Sequence, residues 1–301
     1  MTSINLRSSS AYIRKPDSAL GVKLRTFRLS AWLGWQIESN WADPFLFAIY
    51  SIIKPLAGAA ILVVMYSVIT RADFDSPIFA YIYLGNAFYM YVGQVMTGIS
   101  WAVIDDREHY KTLRYVYVSP IHYPTYLLGR GVARFLIASI SVVVTIVFGM
   151  LFLHLQIDLA SVDWGLLLLA LTTGVIMLAL MGLILASVML LLVHHMWGLG
   201  DAVASALYLF SGAIFPLEVL PAFLRPVGYV MPLTYWLELM RRAMVGEIAQ
   251  AFPTLAGYSN VELLGILIGM TVAFALVSGA VFRFCEHRAK ERGLFDMISN
   301  Y

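Results

Sequence analysis

Long apolar runs, broken at a few places by short polar stretches, set the pattern of this 301-residue chain. A helix rising 1.5 Å per residue needs about 20 apolar residues to cross about 30 Å of hydrocarbon. By that rule six spans are predicted, at 45–69, 78–104, 131–153, 164–193, 199–217 and 261–282. The fourth is the longest and least interrupted. The fifth is short and rich in Gly, Ala and Ser.

Two further segments depart from a simple span-and-loop pattern. Residues 22–44 have helical periodicity, with Leu24, Phe27, Ala31, Gly34 and Trp35 on one side and Lys23, Arg25 and Arg28 near the start. Trp32, Trp35 and Trp41 suit the headgroup zone, so an amphipathic helix lying in the membrane interface is expected, with Asp43-Pro44 turning into the bilayer. The alternative is a water-exposed helix packed on a partner. Residues 212–259 are broken by Pro216, Pro221, Pro226 and Pro232, yet are too apolar for a free loop. Broken backbone at membrane depth is tolerated where protein covers it or it lines a wet cavity. A re-entrant hairpin of two short helices, Leu217–Val227 and Thr234–Val245, is therefore predicted, with Gly246 as the stop.

Composition agrees with this pattern. The chain is 60% hydrophobic and 13% charged, with mean hydropathy +0.80, whereas a soluble domain carries about 25% charged residues. The fold class is thus an all-α integral membrane protein. Its parts are an N-terminal segment 1–44, a six-span domain 45–282 and a C-terminal tail 283–301. A net charge of +2 does not suggest nucleic acid, and the lone Cys285 excludes an internal disulfide framework. No cleavable leader is expected, because the first forty residues lack a continuous apolar core. If both termini are cytoplasmic, the inner segments, with Arg134 at the inner end of the third span, hold 15 of the 20 Lys and Arg residues, the bias expected for that orientation. A multi-pass cytoplasmic (inner or plasma) membrane protein follows.

The most unusual stretch is 105–125, DDREHYKTLRYVYVSPIHYPT, where both signs of charge interleave with Tyr110, Tyr115 and Tyr117 between two apolar runs. Such a loop suits docking to a cytoplasmic partner; the plainer alternative is that its charges anchor two spans at the headgroups. Asp105 and Asp106 stand at a span end, where helix capping or partner docking is expected. Lys54, beside Pro55 in the first span, is either a functional intramembrane charge or a lysine snorkelling to the headgroups. Glu218, Glu238, Arg241 and Arg242 either gate the outer mouth or are solvated at its edge. In the second span Tyr81 and Tyr83 read as interface anchors, and Tyr89 and Tyr91 as candidates for lining a path. Adjacent His194 and His195 point apart on a helix, so no metal site is expected there.

The order of these parts resembles the permease subunit of type-2 ABC exporters. The loop REHYKTLRYVYVSPIHYPTYLLGR is similar to that family's loop pattern at Glu108, Thr112, Leu113, Ser119, Pro120, Ile121 and Leu128-Gly129. FSGAIFPLEVLP and MPLTYWLELMRRAM resemble its second block, anchored by Phe215-Pro216 and Pro232-Leu233-Thr234. The resemblance implies an ATP-driven exporter of glycans, lipids, drugs or similar amphiphiles. It implies two soluble ATPase subunits and a second permease copy as partners, in contact with membrane lipid. No G-x-x-x-x-G-K-[ST] occurs, since none of the five lysines follows a glycine, so ATP and Mg are expected on the partner and no cofactor on this chain. Coupling is expected from Asp106, Arg107, Glu108, His109, Tyr110, Arg114, Tyr115, Ser119 and Pro120. Candidates for the substrate path are Tyr89, Tyr91, Lys54, Phe215 and Glu218, and for an outer re-entrant gate Pro216, Pro232, Tyr235 and Trp236. A membrane-embedded enzyme would need a nucleophile, base or metal constellation at mid-depth, and a secondary transporter would need intramembrane carboxylates. The spans supply neither pattern.

Overall fold

The computed structural model describes residues 19–40, 44–70, 74, 76–153, 155, 157–192, 198–246 and 254–295. The expectations for Trp41, Asp43, His194, His195 and the polar residues 247–253 lie outside the described residues. Among those described, all regular structure is helical. In chain order the helices are α1 (Ala19–Asn40), α2 (Pro44–Thr70), α3 (Pro77–His109), α4 (Leu113–Val118), α5 (Tyr123–Phe152) and α6 (Trp164–Leu191). After these come α7 (Leu199–Phe210), a 3-10 turn (Leu217–Val219), α8 (Arg225–Val230), α9 (Pro232–Val245) and α10 (Asn260–Glu291).

Among the described residues, five helices are long and apolar enough to cross a membrane: the Ser51–Thr70 part of α2, and the whole of α3, α5, α6 and α10. The stretch expected as a fifth span is shorter than drawn. α7 has 12 residues, about 18 Å of helix against about 30 Å of hydrocarbon. It stops at Ser211 and Gly212, whose φ of 71° leaves the helical region. Elsewhere the helices outrun the apolar stretches: α3 continues through Asp105–His109, α5 begins at Tyr123 rather than 131, and α10 continues to Glu291.

α3 is the central helix and is mostly buried, while α2 and α10 leave most of their surface outward. α3 packs on α2, α5, α6, α7 and α9, and α6 packs in turn on α9 and α10. Two π-helical segments interrupt α3, at Val92–Met96 and Asp105–His109. Small residues let neighbours approach closely. A Cβ on Gly182 of α6 would lie 2.8 Å from the Met96 carbonyl oxygen, inside the first π segment. α6 starts at Asp163, whose carboxylate accepts from Leu166 N, and α10 starts with a Ser259–Glu262 capping box.

α1 packs along α5 on a face that overlaps the apolar one read in the sequence at Gly34 but is turned from it toward Thr26 and Ser30. Thr26, Ser30 and Gly34 are buried against α5, while Leu24 is exposed. A Cβ on Gly129 of α5 would lie 2.0 Å from Ser30 Oγ, so small residues on both helices set the crossing. The outward apolar residues Leu20, Leu24, Leu29 and Trp32 lie beside exposed Lys23, Arg25 and Arg28.

The proline-broken region also differs in detail. In place of a helix over Leu217–Val227 there is the 3-10 turn, then α8 starting at Arg225 with Pro226 in its first turn. Pro221 and Pro226 remove backbone donors in between, so one continuous helix is not available. α9 agrees closely with the second expected helix, and every residue from Pro232 to Met244 is buried, against α3, α6 and α10.

Candidate functional site

The described helices bring two buried polar clusters to opposite ends of α3. At the loop end, the second π segment turns Asp106 and Arg107 inward, at 1% and 2% exposure. Arg130 of α5 reaches Asp106 Oδ1 through Nη1 at 2.6 Å, and its Nη2 lies 3.6 Å from Asp105 Oδ2. The Tyr126 hydroxyl donates to the same Asp106 oxygen at 3.2 Å. Arg107 donates to the carbonyls of Met189, Leu190 and Leu192 at 3.2, 2.9 and 2.6 Å. It thus covers the unsatisfied C-terminal carbonyls of α6, where a cation also meets the negative end of the helix dipole. Arg134 Nη2, one turn beyond Arg130, meets Glu38 Oε1 of α1 at 2.6 Å. Burial raises the Glu38 carboxyl above its ordinary range, opposed by Arg134. Four helices, α1, α3, α5 and α6, are therefore joined by ionic or charge-assisted contacts at the root of the loop.

The loop leaves this root through a strained step. Tyr110 N donates to Asp105 O and Thr112 N to Asp106 O, both at 2.8 Å, with Lys111 between them at a φ of 53°. α4 then buries Leu113 and exposes Arg114, Tyr115 and Val118. Tyr115 and Val118 are 65% and 83% exposed. Ser119 ends α4, its hydroxyl donating to Val116 O at 2.6 Å. Pro120 and Ile121 of the following turn line, with Leu29 and Leu33 of α1 and Tyr126, a mainly apolar cavity of about 460 Å³. His122, in this turn, is held below the ordinary imidazole range by burial and then by the positive charge of Lys23. The nine residues singled out from the sequence thus divide. Asp106 and Arg107 face the bundle, whereas His109, Tyr110, Arg114, Tyr115 and Pro120 are exposed and Glu108 and Ser119 half-buried. The Asp105-Asp106 pair is engaged within the bundle by Arg130 rather than by a helix cap.

At the opposite end, Arg241 of α9 is 1% exposed and stacks over the Tyr81 ring, its guanidinium carbon 3.6 Å from the centroid. It donates to Tyr81 O at 3.0 Å, Gly212 O at 2.7 Å and Ala213 O at 2.9 Å. Arg242 Nε pairs with Glu238 Oε1 at 2.9 Å, and its other nitrogens donate to Tyr258 O, Leu255 O and Asn260 Oδ1. Burial raises the Glu238 carboxyl, opposed by Arg241 and Arg242. These charges are interior, which overturns their reading as solvated surface. Tyr81 is likewise a buried partner of Arg241 and not an interface anchor. Glu218 bonds Thr254, and its backbone carbonyl accepts from Arg225 Nη2 at 2.7 Å.

The remaining candidates are scattered. The Tyr89 hydroxyl donates to Ala204 O of α7, and its ring lies 4.6 Å from Tyr208. Tyr208 donates to Asn86 Oδ1 at 2.6 Å. Tyr91 is buried inside the chain, bonded to Ser139 Oγ at 3.0 Å, with Trp236 packed edge-on at 6.1 Å. Lys54 is exposed on α2, and Phe215 is half-buried beside buried Pro216. Pro232 and Trp236 lie inside, and Tyr235 donates to Tyr229 O at 2.9 Å.

Arg130, Tyr126 and Glu38 were not foreseen as a site. Their signal is a helical spacing of four in Tyr126, Arg130 and Arg134, which places all three on one face. Hydropathy alone places Tyr126 and Arg130 outside the span. The same spacing in Glu238 and Arg242 marks the opposite cluster.

Residues 28–245 match the family model described as ABC-2 type transporter, well over half of the chain. No curated protein matches the chain.

Proposed function

The chain belongs to the ABC-2 type transporter family and is a multi-pass membrane permease, and from that premise we propose that it is the membrane half of an ATP-driven exporter. Two copies form the substrate path, and two separate ATPase subunits supply ATP and Mg and drive the cycle. Both termini and the 105–125 loop lie on the cytoplasmic side, and the α8–α9 region dips into the membrane from the other face. The observation that supports this best is the exposed row Arg114, Tyr115 and Val118 on a helix whose root is tied to four others. A partner pressing on that row would move α1, α3, α5 and α6 together. The apolar cavity beside Ile121 offers the same partner a second hold.

The test is co-purification with the co-expressed ATPase. Tyr115→Ala with Val118→Ser should weaken association at least tenfold, since truncating a buried interface aromatic costs upwards of about 1–2 kcal/mol. Insertion and melting of the permease alone should be unchanged. Unchanged affinity would move the docking site elsewhere.

A further inference from the structure

The loop is gripped from its inner side by the end of the last helix. α10 stops in a left-handed turn at Gly293, φ 64°. Gly293 N donates to Lys290 O at 3.1 Å and Leu294 N to Ala289 O at 3.0 Å. These paired bonds make a Schellman ending, with its usual apolar contact supplied by buried Leu294 and Ala289. The turn folds Phe295 back toward the loop. Its ring centroid lies 4.1 Å from that of Tyr117, the second of the two tyrosines of α4. Lys290 Nζ sits 5.3 Å from the centroid of the same ring and also bonds Glu286 Oε1 at 2.7 Å. Tyr123 closes another side at 4.7 Å, and itself packs 6.1 Å from Phe282 of α10. Burial raises the Tyr117 phenol above its ordinary range, with Glu286 adding to the effect.

α4 has only six residues, far below the length at which a helix holds itself in water. Its angle must come from packing. Leu113 anchors its start, and in its far half Val116 and Tyr117 are both packed against the core, Tyr117 through ring contacts with Phe295 and Tyr123. We propose that the Gly293-Leu294-Phe295 turn is a latch for α4, with Phe295 and Lys290 as positioning residues that hold Tyr117 and so set the angle at which Arg114, Tyr115 and Val118 meet the ATPase. The C-terminal end of the last helix is then part of the coupling device and not a spent tail. This assignment rests on the docking reading above.

The test uses the full chain in lipid nanodiscs, alone and with its ATPase. Phe295→Ala and Gly293→Val should each speed amide exchange in residues 113–118 roughly tenfold, while exchange in α3 and α6 stays unchanged. Phe295→Tyr should restore slow exchange. In the complex, Phe295→Ala should lower ATPase affinity or change the hydrolysis rate, and Phe295→Tyr should not. If loop exchange is unaltered by Phe295→Ala, the latch is overturned whatever the ATPase does. If the loop loosens but ATPase affinity and hydrolysis are both unchanged, the latch has no positioning role. In that case Tyr115→Ala separates the two ideas, because an equally silent Tyr115 variant removes the docking reading itself. A general loss of folding in Phe295→Ala, seen as fast exchange throughout α6 and α10, would replace the latch by a purely structural role.

Discussion

Arg130 Nη1 lies 2.6 Å from Asp106 Oδ1, with both side chains almost wholly buried at the loop end of the bundle. Neither charge is tolerable there alone. Arg130→Met should therefore destabilise the chain by about 3–5 kcal/mol, because it strands a buried carboxylate. The double replacement Asp106→Leu with Arg130→Met should recover most of that loss. Denaturant melts in a single detergent check both, and a single-variant loss under about 1 kcal/mol would show that the pair is not structural.

Gly174 of α6 leaves room for the indole of Trp236, since a Cβ there would lie 2.0 Å from Nε1 and 2.2 Å from Cδ1. Gly174→Ala should cost about 1–3 kcal/mol through overpacking. Gly269→Ala on α10, where a Cβ meets nothing within 4 Å, should change the melting point little. Equal effects at the two sites would contradict the close α6–α9 approach.

Lys111 holds a left-handed conformation in the step between α3 and α4. Lys111→Gly should stabilise the isolated chain by up to about 1 kcal/mol, whereas Lys111→Val should destabilise it by more. A lower melting point for the glycine variant would mean that the lysine side chain itself holds the step.

Glu38 is a pH reporter for the α1–α5 contact. Its folded carboxyl holds a proton above the ordinary value of 4.5, chiefly through burial. The stability tied to that proton is complete below 4.5 and is lost as pH rises through the folded value. Relative to Glu38→Gln, the native chain should lose stability as pH climbs above 4.5, and the difference should level off once Glu38 is ionised beside Arg134. Melting curves of the two proteins across that range check the sign, and a native chain gaining on the glutamine variant would reverse it.

Run length and hydropathy were enough to locate the five membrane-length helices among the described residues, because burying an apolar side chain is favourable whatever its neighbours. They misjudged helix ends. Asp105, Asp106, Tyr126 and Arg130 each look expensive in a bilayer when scored singly, but as partners across α3 and α5 they let both helices run on. The same blindness turned Glu238, Arg241 and Arg242 into candidates for surface. Their neutralisation comes from each other, from the Tyr81 ring and from carbonyls far away in the chain. α7 failed differently: its small apolar residues score like a span, but Gly212 turns the chain after 12 residues. Tyr115 was legible as an exposed aromatic of the loop, whereas Tyr117, two positions on, gave no sign that it faces the other way onto Phe295.

The two π segments of α3 have a consequence for how the ends of that helix are phased. Each wide turn sets the residues after it out of step with a regular helix by about one residue, roughly 100° of rotation. Upstream of both, Tyr81 addresses α9. At the end of the first and just beyond it, Met96 and Ile99 address α6 through Gly182. Within the second, Asp106 and Arg107 address α5 and α6. α3 is thus a shaft whose teeth are cut at three different angles. Its two ends mesh with different neighbours even though one unbroken rod connects them.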